Sequence, residues 1–198
     1  MNETTISSAS ASGSREAQVL AAAFEAFSTY GFRKTSMDDI ARLAGMSRSA
    51  LYLSYANKED ILRSLARDVL NDSVAQVQAV LEANAGSREE VLLAAFVAKD
   101  GRFVEAILSK PHAREVVEEG LAATSQIVAA AEGRMRGLLA QWLAQQGVPR
   151  GIGTPEEVAA SIVSALHGLK TTSADVASYR DGQRRLAKIF ALALASNG

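Results

Sequence analysis

The stretch Thr35–Asp60, TSMDDIARLAGMSRSALYLSYANKED, encodes two short helices joined by a tight turn and the start of a third. Thr35 or Ser36 stands where a helix cap belongs, and Asp38 and Asp39 follow in the first turn, where carboxylates complement the helix dipole. That helix reads from about Met37 to Ala44, and Gly45 ends it. Ser47 caps a second helix to about Tyr55, and Asn57 caps a long one that opens with Glu59 and Asp60. Ile40, Leu43 and Ala44 supply an apolar face, Met46 sits in the turn, and Leu51 and Tyr55 are placed to pack against them. Arg48, Ser49, Tyr52 and Leu53 are left on the opposite side of the second helix. Two short helices about a glycine turn suit a helix-turn-helix. An arginine there can reach guanine edges, while serines and backbone amides suit phosphates. The same residues also suit a small three-helix unit whose Arg and Ser are merely solvated.

Outward from this stretch the chain continues as helices. Upstream, Val19, Leu20, Ala23, Phe24 and Phe27 recur at three- and four-residue intervals, which predicts a helix from about Arg15 to Tyr30 stopped by Gly31. Residues 1–14, MNETTISSASASGS, are expected to be a disordered tail; they have neither the cationic head nor the apolar run of a signal peptide. Downstream, Ser87 and Glu90 form a capping box for a helix ending near Ser109. A short helix is predicted over Pro111 to Glu119, and a longer one over Ala122 to Gln146, stopped by Gly147 and Pro149. Thr154, Pro155 and Glu157 then place cap, first-position proline and box glutamate in order for a helix to about Ser173. A last helix covers about Ala177 to Ala195. No alternating strand pattern persists. The expected fold is all-α with about nine helices: a three-helix unit over residues 15–62, then a larger helical bundle over 63–198.

Composition narrows the function. The 198 residues are 48% hydrophobic, which suits a packed core rather than wholesale disorder. There is no cysteine, which removes disulfides, thiolate metal sites and cysteine nucleophiles and agrees with a reducing, cytoplasmic setting. With only His112 and His167, far apart in sequence, neither a metal nor a cofactor is expected. The formal net charge is -1. Up to Ser64 the cations Arg15, Arg33, Lys34, Arg42, Arg48, Lys58 and Arg63 are matched by Glu3, Glu16, Glu25, Asp38, Asp39, Glu59 and Asp60. Any DNA binding must therefore come from a few well-placed groups rather than a broad positive field. No phosphate loop, nucleophile elbow or metal-binding pattern appears, so an enzyme is not expected. The longest apolar run, Val91–Ala98, is far too short to cross a bilayer.

A first helix ending in an aromatic, then Gly31-Phe32, Thr35-Ser36, Ile40-Ala41, Ala44-Gly45, Ser47, Leu51-Tyr52 and Lys58-Glu59, resembles the DNA-binding domain of the tetracycline-repressor (TetR) family. The resemblance spans about Arg15 to Leu62 without a gap. It implies a transcription repressor released from a palindromic operator by a small molecule. It also implies that Thr35 and Ser36 contact phosphate, that Ser47, Arg48 and Ser49 meet bases or backbone, that Tyr52 touches backbone, and that Lys58 contacts phosphate. Ser49 stands where glycine or proline is frequent, Leu53-Ser54 replaces an aromatic or histidine pair, and Tyr55 replaces the usual Phe. Leu53 is then placed either to meet a thymine methyl or to lose a phosphate contact.

The resemblance further implies a homodimer whose last two long helices form a four-helix interface. Val158, Ile162, Leu166 and Leu169, with Leu186, Ile189 and Phe190, make those helices apolar on more than one side and are the expected interface. Phe96, Phe103, Met135, Leu139 and Trp142 are candidates to line an effector cavity, with His112 and His167 as polar handles; each is also a plausible core residue. The rival to the DNA reading is an interaction protein that keeps the helix-turn-helix fold without binding DNA.

Overall fold

The computed structural model describes residues 4–100 and 113–195, with side chains described over 14–100 and 123–195. Over these residues the chain forms eight helices and no strand: α1 Thr4–Tyr30, α2 Met37–Leu43, α3 Arg48–Tyr52, α4 Lys58–Ala83, α5 Arg88–Asp100, α6 Ala113–Gln146, α7 Pro155–Thr172 and α8 Val176–Ala195. The all-α expectation holds. Two boundaries differ from it. The first helix begins at Thr4, so residues 4–14, expected as a disordered tail, are helical and continuous with the strongly helical stretch that follows. Likewise, the predicted helices around Pro111–Glu119 and Ala122–Gln146 are, from Ala113 on, one helix of 34 residues. Gly120 lies inside it, and an interior glycine costs only about 1 kcal/mol relative to alanine.

The chain divides into two compact units, Met1–Arg67 with Lys110–Ser125, and Asp68–Ser109 with Gln126–Gly198. The first unit has its core where α1 meets α2, α3 and the start of α4. Val19, Leu20, Ala23 and Phe27 from α1 are buried with Phe32, Ile40, Leu51, Tyr55, Ile61 and Leu65. The Phe27 and Phe32 rings lie 5.1 Å apart, tilted by 56°, a geometry that suits the aromatic quadrupole. The chain turns after α1 at Gly31, whose φ of 83° lies in the left-handed region and whose N–H closes on the Phe27 carbonyl at 3.0 Å.

In the second unit α5 and α7 both pack against α8. Leu92, Phe96, Leu139, Trp142, Leu143, Val158, Ile162 and Leu166 form one buried cluster. Gly182 of α8 lets α7 approach, because a Cβ there would stand 2.7 Å from Leu169 Cδ2. The predicted caps are present: Ser87 with Glu90, and Thr154 with Glu157 behind Pro155. Arg88, at the start of α5, donates to the Gln146 and Leu194 carbonyls at 3.0 and 2.9 Å, satisfying acceptors at the ends of α6 and α8.

This packing corrects the expected dimer face. Val158, Ile162 and Leu166 are core residues of their own unit, between 0 and 4% exposed. Leu186 and Phe190 are half-buried against the same core, and Leu169 is half-buried against Gly182. Of the seven, only Ile189 is largely exposed, at 57%, and Leu192 lies one turn on at 61%. The apolar stripe serves the inside of the bundle first.

Candidate nucleic-acid interface

The helix-turn-helix is built from its caps. Ser36 Oγ accepts from the Asp39 N–H at 3.2 Å, and the Ser36 N–H donates to Asp39 Oδ2 at 3.1 Å, closing a capping box at the start of α2. The Ser36 hydroxyl and amide hold the Asp39 carboxyl below its ordinary range. Gly45 makes the turn at φ 65°. A Cβ there would meet nothing within 4 Å, so the demand for glycine is conformational rather than spatial. The Met46 N–H returns to the Ala41 carbonyl at 3.0 Å. Ser47 Oγ then accepts from the Ala50 N–H at 3.2 Å and starts α3.

Burial sorts the residues of the two helices. Met37, Ile40 and Ala41 face inward from α2, and Leu51 and Tyr55 anchor α3 and the turn after it. Leu43, expected on the apolar face, is exposed at 46%. At 100° per residue the inward arc runs through Met37, Ile40 and Ala41, and Leu43 falls beyond its edge. Ser47, Arg48, Ser49, Tyr52 and Leu53 are all exposed, and they form the outward surface of α3. Leu53 is bare at 89%. Arg48 is held from two sides: its NH1 donates to Asp38 Oδ2 at 3.0 Å, and its guanidinium carbon lies 5.4 Å from the Tyr52 ring centroid.

Two expected phosphate ligands are placed otherwise. Thr35 is buried, and its hydroxyl donates to the Gly31 and Ala26 carbonyls at 2.8 and 3.2 Å, which satisfies acceptors at the end of α1. Lys58 turns its ammonium onto the α1–α2 loop. Its Nζ donates to the Phe32, Arg33 and Thr35 carbonyls at 2.7, 3.1 and 3.1 Å and sits 4.7 Å from the Phe32 ring centroid. An ammonium has three N–H bonds, and all three have partners here. Lys58 is a clasp that fixes the loop leading into α2. Sequence reasoning passed over Lys34, an exposed cation in that same loop; its place beside Thr35-Ser36 was the available signal.

The effector candidates divide as well. Phe96, Leu139 and Trp142 belong to the main core cluster, and Met135 to a smaller one with Val74 and Ala131. The Trp142 indole donates to Asn84 Oδ1 at 2.9 Å. His167 is exposed on α7, not directed at that core. Phe103 and His112 lie outside the described residues. The sequence reading missed a buried polar cluster beside Phe96. Asp100, its side chain 1% exposed, accepts from the Tyr179 hydroxyl at 2.8 Å, Gln183 Nε2 at 2.7 Å and Arg180 NH1 at 3.4 Å. Burial, then the Asp100 charge, push the Tyr179 hydroxyl above its ordinary range and keep it a donor. Burial, helped by Lys99, lowers the Lys170 ammonium, while Asp100 and Glu132 act against that.

Comparison with known proteins addresses both units. Residues 19–65 match the family model described as bacterial regulatory proteins, tetR family. The chain is 31% identical over 80 residues to the HTH-type transcriptional regulator RutR of Escherichia coli K12, covering 40% of this chain and 38% of that one. It is 29% identical over 76 residues to the fatty acid metabolism regulator protein of Bacillus subtilis, covering 38% of this chain and 39% of that one. The matches thus span about two-fifths of the curated relatives' length. The fold extends further: a fatty acid degradation regulator from Bacillus halodurans superposes with a TM-score of 0.65 at 19% identity, over 91% of this chain and 94% of that one. Motif and family match agree that residues 19–65 resemble the DNA-binding domain of the tetR family of bacterial regulatory proteins, and over the remaining length the likeness to such regulators is one of fold.

Proposed function

We propose that this protein is a cytoplasmic transcription regulator that binds palindromic operator DNA as a two-fold dimer, presents the outward face of α3 to the major groove, and is released by a small molecule. The observation that carries the reading is the sorting of α3: Leu51 is fully buried while Ser47, Arg48, Ser49, Tyr52 and Leu53 are exposed together. Arg48 reads base edges, Ser47 and Ser49 meet backbone or bases, Tyr52 meets backbone, and Leu53 is free to contact a thymine methyl. Exposed Lys34 takes the phosphate role first assigned to Lys58.

The dimer is supported by Ile189 and Leu192, two large apolar side chains exposed one turn apart on α8. A two-fold dimer matches a palindromic site whose half-sites lie about 34–36 Å apart. The effector acts through α4, a continuous helix of 26 residues that contributes to both compact units. A ligand that favours a different half-site spacing lowers operator affinity, and operator lowers ligand affinity by the same factor. Among the described residues no group of three His, Cys, Asp or Glu is placed to hold a metal ion. No described helix is long and apolar enough to cross a membrane.

A mobility-shift assay of the full chain on the DNA upstream of its own gene tests the reading. The expected result is a discrete complex that survives excess random duplex. The interaction-protein alternative draws on the balanced charge of residues 1–64 and the bare Leu53; a shift abolished equally by random duplex is its signature.

A further inference from the structure

Arg48 on α3 and Asp38 in the first turn of α2 are ten residues apart, and the turn brings them to a 3.0 Å ion pair. Tyr52 lies against the same guanidinium, its ring centroid 5.4 Å from the guanidinium carbon. Both members of the pair are well exposed, 64% and 58% by side chain. Fold stability does not account for the arrangement, since such pairs contribute little in water. Its consequence for DNA is larger. A free arginine on a DNA-facing surface goes to the nearest strong anion, which is a phosphate present at every step of every sequence. Asp38 supplies that anion from within the protein. It neutralises the guanidinium toward the backbone, holds the long side chain in one geometry with Tyr52, and uses one of five N–H donors. The other four remain for the two acceptors of a guanine edge.

We propose that Asp38 is a specificity-determining positioning residue, which turns Arg48 from a phosphate binder into a base reader. The inference rests on the reading of α3 as the DNA-contacting helix. The test is in vitro selection from a duplex library with a randomised core, run with the full chain and with Arg48→Ala, Asp38→Ala and Asp38→Glu. Binding of each to the wild-type-selected duplex and to a random duplex is then measured. The wild type is expected to enrich a palindromic motif. Arg48→Ala loses preference at one position per half-site and about 5- to 150-fold of discrimination there. Asp38→Ala is expected to lose preference at that same position while binding random duplex more tightly, and Asp38→Glu to recover part of the preference. Both substitutions are at exposed positions, and circular dichroism verifies that the fold is kept. An unchanged motif with Asp38→Ala overturns the inference while leaving the DNA-binding reading intact. Failure of the wild type to enrich any motif overturns the reading itself, and the inference with it.

Discussion

The two units place an aspartate and an arginine together in opposite ways. In the first, Asp38 and Arg48 meet in water at the outward edge of the helix-turn-helix. In the second, Asp100 is almost completely enclosed and receives Tyr179, Gln183 and Arg180. The exposed pair leaves four of the arginine's N–H donors open to a base, and water and salt keep its contribution to the fold small. The buried one cannot part, because parting would leave the enclosed Asp100 carboxylate without its donors in a low-dielectric interior. An ion pair with donors to spare suits a recognition surface, and a carboxylate locked by three donors belongs to the architecture. The same contrast separates Arg48 from Lys58, which is clasped by three carbonyls only ten positions further on.

The largest expected effect breaks the buried side of this comparison. Asp100→Ala should cost about 3–5 kcal/mol in urea unfolding, because it removes the buried carboxylate that accepts from Tyr179, Gln183 and Arg180 together. The same change at Asp38 should shift stability by less than about 1 kcal/mol. Next comes the division of α7 and α8 into core and surface. Leu166→Ala should destabilise by about 2–5 kcal/mol. Ile189→Glu should leave the helical content unchanged and shift sedimentation equilibrium toward monomer at micromolar concentration.

Lys58→Met should cost about 2 kcal/mol of stability, by depriving three carbonyls of a charged donor. It should not change the salt dependence of DNA binding, whereas loss of a phosphate contact would flatten it by about one ion. Smallest is the cap of α3: Ser47→Ala should cost about 1 kcal/mol by thermal melting, against a few tenths for Ser47→Gly.

Much of this was legible in the sequence. Caps and stops at Ser36, Ser47, Asn57, Ser87 and Thr154 were correct because a cap is a local bargain between one side chain and the next turn. The outward set on α3 followed from helical period alone. Thr35 and Lys58 did not, because their partners, the Ala26, Gly31 and Phe32 carbonyls, are exposed by the tertiary path of the α1–α2 loop. A polar side chain in a motif reads alike from sequence whether it faces DNA or a helix end. Val158, Ile162 and Leu166 failed for a related reason: an apolar stripe states that a face is covered, not by which partner. The Asp100 cluster was invisible because its three donors lie 79 or more positions from the aspartate.

The central claim is that the outward face of α3 reads DNA sequence. Fluorescence anisotropy tests it most directly, with the full chain titrated against labelled operator and against random duplex of equal length at about 150 mM salt. The account predicts operator binding at least about 10³-fold tighter, reduced by about 5- to 150-fold per half-site with Arg48→Ala. Equal affinity for the two duplexes, or a preference that survives Arg48→Ala undiminished, would contradict it.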